Sequence, residues 1–528
     1  MTTNAAPARG PFGHLFSSPQ AHRNAVLRVM CLALMLVVSG VTSLNVALPA
    51  IGEDTGASQT ELQWIVDAYA LVFAALLLPA GAIGDRFGRK PILVAGLTLY
   101  GSGALAALFL DGTNQLIGIR ALLGLAAAAI MPVTLSVITS IFPPAERGKA
   151  VGTWVGVAAA GGIAGLVTSG LLLHWFSWHS IFVLNIVLAA LALAGTLALV
   201  PASRESRPPR LDPVGTLLSA AGIGAIVFGT VEGPELGWLD PSTISALGAG
   251  VGGIALFVLW ELRRREPMLD PRNFLRRGFG AGSLSVTVQF FAAFGFFFLA
   301  LPYLQLVLGY SALEAACSLL PMAAFVLPLS RVAPRLAERL GFRVTGGIGL
   351  GLMATGFAVL STLGTDSSYW HFLAGLLPFG AGMALAGSPA TTAIVASMPR
   401  EKQGVASAVN DLSRELGGAL GIAVLGSILN GLYRSGVAGY TAGLSAIDAD
   451  KVKSSLTSAK EVGGADLVHH AESAYVHGVS VSLLAGAAIL LSAVLFVGLR
   501  GPGRVRATDE EVDRARAATA PAAADYSP

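Results

Sequence analysis

Fourteen apolar stretches, most of them close to the roughly 20 residues a helix needs to cross the hydrocarbon core of a bilayer, leave few architectures open to this chain. They fall near 26–50, 64–84, 91–111, 115–140, 150–173, 178–200, 214–232, 242–263, 278–302, 312–333, 342–363, 370–395, 404–432 and 479–499. Gly and Ala punctuate these runs, without the polar alternation of a membrane β-barrel, and 64 glycines suit helices packed backbone to backbone. Only 12% of residues are charged, against about 25% in soluble domains, so the chain reads as an all-α polytopic membrane protein. A net charge of +3 with the basic residues in short loops argues against nucleic-acid binding. Cys31 and Cys317 lie inside apolar runs and suggest neither a disulfide nor a metal site.

The segment 81–90, GAIGDRFGRK, places Asp85, Arg86, Arg89 and Lys90 between the second and third runs. Ionised side chains at the bilayer centre cost about 3 kcal/mol each on insertion scales, so this stretch belongs in water or a headgroup layer. Gly81, Gly84 and Gly88 permit close backbone approach. The other basic clusters occupy alternate loops and both tails, and the short loops between them have no Lys or Arg. By the positive-inside rule, both termini are cytoplasmic. The exception is the outer segment 433–477, which carries Arg434, Lys451, Lys453 and Lys460. It reads either as a solvated spacer or as a segment containing an amphipathic helix over 445–462.

Segment 334–343, PRLAERLGFR, repeats the 81–90 pattern after the tenth run, with Glu338 and Arg339 where Asp85 and Arg86 stand. Omitting runs seven and eight leaves two six-helix halves in parallel repeat. The expected organisation is a cytoplasmic tail 1–24, a six-helix bundle 25–200, a linker 201–213, two extra helices 214–263, a linker 264–277, a second bundle 278–499 and a disordered tail 500–528.

In the thirteenth run, Asn410, Asp411, Arg414 and Glu415 stand together, and Asp411 shares a helical face with Arg414 and Glu415. Two acids against one arginine make a site able to exchange a proton and to attract a cation. The alternative is a helix-end cluster wetted by the cytoplasm. Six phenylalanines, Phe290, Phe291, Phe294, Phe296, Phe297 and Phe298, crowd the ninth run, with Tyr303 and Gln305 after them; they read as drug-binding walls, or as residues that face lipid or pack helices.

These motifs carry a resemblance. GAIGDRFGRK is similar to the loop 2–3 motif of the major facilitator superfamily, and IRALLGLAAAAIMP around Arg120 to its fourth-span motif. NVALPAI, QWIVDAYAL, YLQLVLGYSALEAACSLLP and GVASAVNDLSRELGGALGIAVLG resemble the bacterial fourteen-span drug:proton antiporters, with an actinobacterial flavour, over roughly 25–432 and the final run. The resemblance implies the major facilitator fold with two extra helices, 14 transmembrane helices in all. It implies a latch of Gly81, Asp85, Arg86, Gly88, Arg89, Glu338 and Arg339 between the halves, against the alternative of a purely topological charge cluster. Proton-coupling candidates are Asp411, Glu415, Arg414, Asp67 and Arg120; Arg120 either modulates protonation of Asp67 or forms a static ion pair with it. Candidate cavity residues are Asn45, Tyr69, Phe290, Phe294, Tyr303, Gln305 and Asn410. Three motifs depart from the family, the fourth-span motif by Leu123, which stands where Gln is usual. Gly40 stands where the first span commonly has Asp, and Leu166 and Ser169 replace a proline and a glycine of the antiporter motif.

The expected function is proton-coupled export of hydrophobic or amphipathic drugs or antibiotics across the bacterial cell membrane. Alternatives are export of an endogenous metabolite, an uncoupled facilitator, and a non-transporting membrane sensor. No P-loop, GxSxG or HExxH motif occurs, so neither an ATP-driven pump nor an enzyme is expected. The expectation includes no metal or cofactor beyond the proton gradient, a small lipophilic or cationic substrate, and a monomer in the lipid bilayer.

Overall fold

The computed structural model describes residues 18–57, 59–110, 112–202, 212–441 and 444–503. The tail segments 1–17 and 504–528 and linker residues 203–211 lie outside the described residues, as does the side chain of the cavity candidate Asn45. All regular structure among the described residues is helical. The first eight long helices are α1 (Pro19–Thr55), α2 (Gln59–Phe87), α3 (Arg89–Ala107), α4 (Thr113–Ile141), α5 (Pro144–Trp175), α6 (Ser180–Leu199), α7 (Pro213–Leu236) and α8 (Pro241–Arg263). After a short 3-10 turn come α9 (Arg277–Pro302), α10 (Ala312–Cys317), α11 (Leu320–Leu340), α12 (Phe342–Leu360), α13 (Tyr369–Ala396) and α14 (Gln403–Val437). Two short helices, α15 (Ala446–Ser454) and α16 (Leu456–Val462), precede α17 (Ala465–Arg500).

Fourteen segments are long and apolar enough to cross a membrane, with α10 and α11 contributing one between them. Local chemistry explains several boundaries. The Ser18 hydroxyl accepts the Ala21 N–H ahead of Pro19, Asp212 and Asp240 cap α7 and α8 ahead of Pro213 and Pro241, and Gly56 ends the first helix at φ 67°. The tenth span departs from the single run expected over 312–333. It breaks between Cys317 and Leu320, where Pro321 begins α11 and has no N–H to continue the helix before it.

The outer segment expected over 433–477 is shorter than hydropathy suggested. α14 continues to Val437 and α17 starts at Ala465, because a helix can extend beyond the bilayer on polar residues that an apolar run does not count. The predicted amphipathic helix over 445–462 is instead two helices. Ser455 is extended, at φ −160°, and its hydroxyl accepts the Ser458 N–H to start α16.

Two apolar cores organise the molecule. One joins α1 to α6 and the other joins α9 to α17. α7 packs beside their junction, with Ile223 and Val227 against Ala74 and Leu71 of α2 and Leu412 and Leu416 of α14. The Trp64 and Phe228 rings are 6.0 Å apart, and the Trp238 indole donates to the Ser427 hydroxyl at 2.9 Å. The extra pair therefore flanks both halves without separating them.

At the end bearing the basic loops, the two halves meet. The Asp85 carboxylate accepts the N–H groups of Gly404 at 2.8 Å and Val405 at 3.1 Å, the first turn of α14. A Cβ on Gly81 would stand 2.5 Å from the Gly404 carbonyl oxygen and 2.8 Å from Ala408 Cβ. The second contact joins α5 to α11, where a Cβ on Gly148 would lie 3.0 Å from Pro334 Cβ and one on Gly152 would lie 3.1 Å from the Ser388 hydroxyl of α13. Gly81→Val should force α2 from α14. Overpacking costs about 1–3 kcal/mol, or roughly 5- to 150-fold in the open population. In a variant lacking Cys31 and Cys317, a cysteine at Ala408 should react correspondingly faster with a hydrophilic maleimide in detergent. An unchanged rate would show that this contact does not hold the end closed.

Candidate functional site

α14 carries the polar cluster inward from that closed end. Arg414 is eleven residues beyond Gln403, about 16 Å at the α-helical rise and so near the middle of a bilayer about 30 Å thick. Asn410 and Asp411 are fully buried, Arg414 is 3% exposed, and Glu415 is half-buried. This burial distinguishes the cluster from the wetted helix end allowed by the sequence.

A chain of hydrogen bonds positions the acid. The Thr391 hydroxyl of α13 donates to Asn410 Oδ1 at 2.9 Å, and Asn410 Nδ2 donates to Asp411 Oδ1 at 3.0 Å. Asp411 Oδ2 is buried without a hydrogen-bond partner among the described residues, and so is Arg414 Nε. Arg414 makes no ion pair within 4.0 Å among the described residues, although Asp411 is only three positions back on its helix. Instead its guanidinium carbon lies 4.6 Å from the centre of the Trp154 ring and 4.9 Å from that of Phe290. Trp154 belongs to the first half and Phe290 to the second, so the arginine touches both. Trp154 is itself fixed by its indole N–H, which donates to the Thr134 hydroxyl at 3.0 Å.

A second buried arginine stands in the first half. Arg120 is 2% exposed, donates through Nε to the Ile65 carbonyl oxygen at 2.9 Å, and has its guanidinium carbon 4.3 Å from the Tyr69 ring centre. The expected pairing with Asp67 is replaced by these contacts. Ile65 and Tyr69 are four residues apart and face α4, whereas Asp67 shares the opposite face with Trp64 and Leu71, the face packed on α7. The helical period was the signal that could have separated Tyr69 from Asp67.

Gly40 has a steric explanation. A Cβ there would collide with the Tyr100 hydroxyl and stand 3.8 Å from Asn185 Nδ2. Tyr100 and Asn185, both buried, take the space that an acid on the first span would need.

The remaining candidates divide. Gly88, at φ 101°, begins α3 in a conformation suited to glycine. Arg89 lies 3.9 Å from Asp85, and Arg86 is 5.7 Å from the ring of neighbouring Phe87. Glu338 and Arg339 are exposed and, among the described residues, make no hydrogen bond or ion pair, although Glu338 Oε1 would lie 4.0 Å from a Cβ on Gly148 of α5, the glycine that also meets Pro334. The sequence repeat therefore does not place a second Asp85-like contact there. Phe290 and Phe294 stand together, ring centres 6.1 Å apart, with Phe294 against Gly418 of α14. Phe296 belongs to the packing core, 4.9 Å from Phe379. Tyr303 lies away from the polar cluster, donating to the Gly364 carbonyl oxygen at 2.7 Å, because the π-helical turn Tyr303–Val307 after Pro302 points it to the α12–α13 connection. Gln305 is exposed on the same turn. Sequence reasoning missed Trp154 and Thr391. A tryptophan amid the Gly and Ala of the fifth span was the available signal.

Residues 30–422 match the family model described as Major Facilitator Superfamily. The chain is 32% identical over 399 residues to the "Multidrug resistance protein Stp" of Mycobacterium tuberculosis, covering 75% of this chain and 74% of that protein. It is 34% identical over 482 residues to the "Methyl viologen resistance protein SmvA" of Salmonella typhimurium, covering 89% and 96%. Its fold is similar to the solved proton:xylose symporter XylE, with a TM-score of 0.59 at 15% identity, covering 94% of this chain and all of that one. Two helical bundles closed on each other at one end, an interface lined by buried charge, and these matches together make this chain a member of the major facilitator superfamily.

Proposed function

We propose that this protein is a proton-coupled secondary exporter of hydrophobic or amphipathic drugs or antibiotics, working as a monomer in the cytoplasmic membrane with both termini and the basic loops in the cytoplasm. The observation that carries this reading is the burial of Asp411 and Arg414 together in α14, with the Arg414 guanidinium against Trp154 of one half and Phe290 of the other. Intramembrane ionisable groups are costly and typically mark substrate or proton pathways. The names of Stp and SmvA, a multidrug and a methyl viologen resistance protein, support the substrate class. No cofactor is needed, because the proton gradient supplies the energy.

In this reading the structure is closed on the cytoplasmic side. The Asp85 carboxylate sits at the positive end of the α14 dipole, an arrangement worth about 0.3–2 kcal/mol and so readily broken in each cycle. Opening would separate Asp85 from Gly404 and α5 from α11, exposing the central cluster to the cytoplasm. Asp411 has one oxygen held by Asn410 and one without a partner, so a proton can be added or removed at Oδ2 without dismantling the network.

Two measurements test this. Adding a lipophilic cation to the purified protein in detergent should release protons, and Asp411→Asn or Glu415→Gln should abolish that release. Binding without proton release in the unaltered chain would overturn antiport and leave a facilitator. Asp85→Asn keeps the side-chain shape but replaces one of the two accepting oxygens with an NH2 that cannot accept a backbone N–H. It should raise accessibility of the cluster from the cytoplasmic side by roughly 2- to 30-fold, following the dipole range above. Unchanged accessibility would reduce Asp85 to a topological charge.

A further inference from the structure

The contacts of Arg414 pose a chemical question that the proton-coupling reading leaves open. This guanidinium is buried and has two acids on its own helix, yet it lies between two aromatic rings. The faces of aromatic rings carry negative potential and attract cations, most strongly where water is excluded. Trp154 and Phe290 come from different halves of the molecule, so any cation between them is held by both. That is the place a substrate must occupy if the halves are to rock about it.

We propose that the Trp154 and Phe290 rings are the seat for the positive group of a lipophilic cation, and that the Arg414 side chain fills this seat as a tethered stand-in when no substrate is bound. The inference rests on the exporter reading and narrows its substrate class. An incoming cation would displace the guanidinium. Asp411 lies one turn back on the same face, and its Oδ2 lacks a hydrogen bond just as Arg414 Nε does. The displaced side chain can satisfy both atoms by pairing with that carboxylate. If the carboxyl carries a proton beforehand, the proton leaves to solvent as the pair forms, so one positive charge enters and one departs. The negative ring faces disfavour an anionic ligand at this seat.

The test is equilibrium binding of tetraphenylphosphonium to the full chain in detergent, with tetraphenylborate as a probe of the same shape and opposite charge. Removing the stand-in frees the seat, so Arg414→Gln should bind tetraphenylphosphonium about tenfold more tightly. Trp154→Leu should bind it about tenfold more weakly, and Trp154→Phe, which keeps a ring face, should stay within about threefold. In the double variant Arg414→Gln with Trp154→Leu, the gain should vanish. If Arg414→Gln does not fold, Arg414→Met supplies the comparison. Its uncharged side chain leaves the ring faces without a cation, so it should also bind tetraphenylphosphonium more tightly than the unaltered chain. Equal or weaker cation binding by a folded Arg414 variant would overturn the proposal. So would tetraphenylborate binding that depends on Arg414. Failure of the exporter reading looks different: binding follows the predicted order, but proteoliposomes with an imposed proton gradient do not move the cation.

Discussion

The contact between the Asp85 carboxylate and the first turn of α14 sets the geometry of much of the interface. Two backbone N–H groups that begin a helix have no partner within it, and a carboxylate from the other half supplies one. The bond is possible only because Gly81 and Gly404 let α2 and α14 approach at backbone distance. With that end of α14 held, its next three turns lie along the first half, and Arg414 comes to rest on Trp154. A charged contact at the membrane edge thus positions a charged side chain at its centre.

The interior then has to accommodate two guanidiniums. A buried arginine in a membrane protein is tolerated when dipoles or π-faces meet it, and each of these two has such contacts. Arg120 has a carbonyl oxygen and the Tyr69 ring, while Arg414 has the Trp154 and Phe290 rings. Neither is neutralised by a close carboxylate among the described residues. Such contacts are weaker and less directional than a bidentate ion pair, so they hold the side chain without locking it. This suits an interface that must come apart, whereas a fully paired buried salt bridge would resist it.

The extra helices follow the same economy. α7 lies along the seam between α2 and α14 and is pinned at the end away from the basic loops by Trp238 on Ser427. It therefore contacts both moving halves without entering the central cluster. Tyr100 shows how one residue can replace another role in the first half: its hydroxyl fills the volume beside Gly40, where the resembled family commonly has an acid.

The sequence by itself determined the class of fold. Fourteen runs long enough to span a bilayer, a basic loop after every second one and a repeated charged motif permit little else, because an unpaired backbone or an ionised side chain is too costly in hydrocarbon. The polar cluster of α14 was legible as a candidate for the same reason, but the sequence left open a helix end wetted by the cytoplasm, and only the burial of Asn410, Asp411 and Arg414 decided between the two. The tertiary structure alone decided what those residues touch. Asp67 and Tyr69 are two positions apart, so the helical period puts them on different faces, but only the packing of α2 between α4 and α7 decided which face meets Arg120. Glu338 copies Asp85 in sequence yet stays exposed beside Gly148 of α5 and, among the described residues, accepts no backbone N–H. Trp154 and Arg414 are brought together by two helices far apart along the chain. No local pattern encodes which ring a guanidinium will find across the interface, because that depends on how closely glycine lets the two backbones approach.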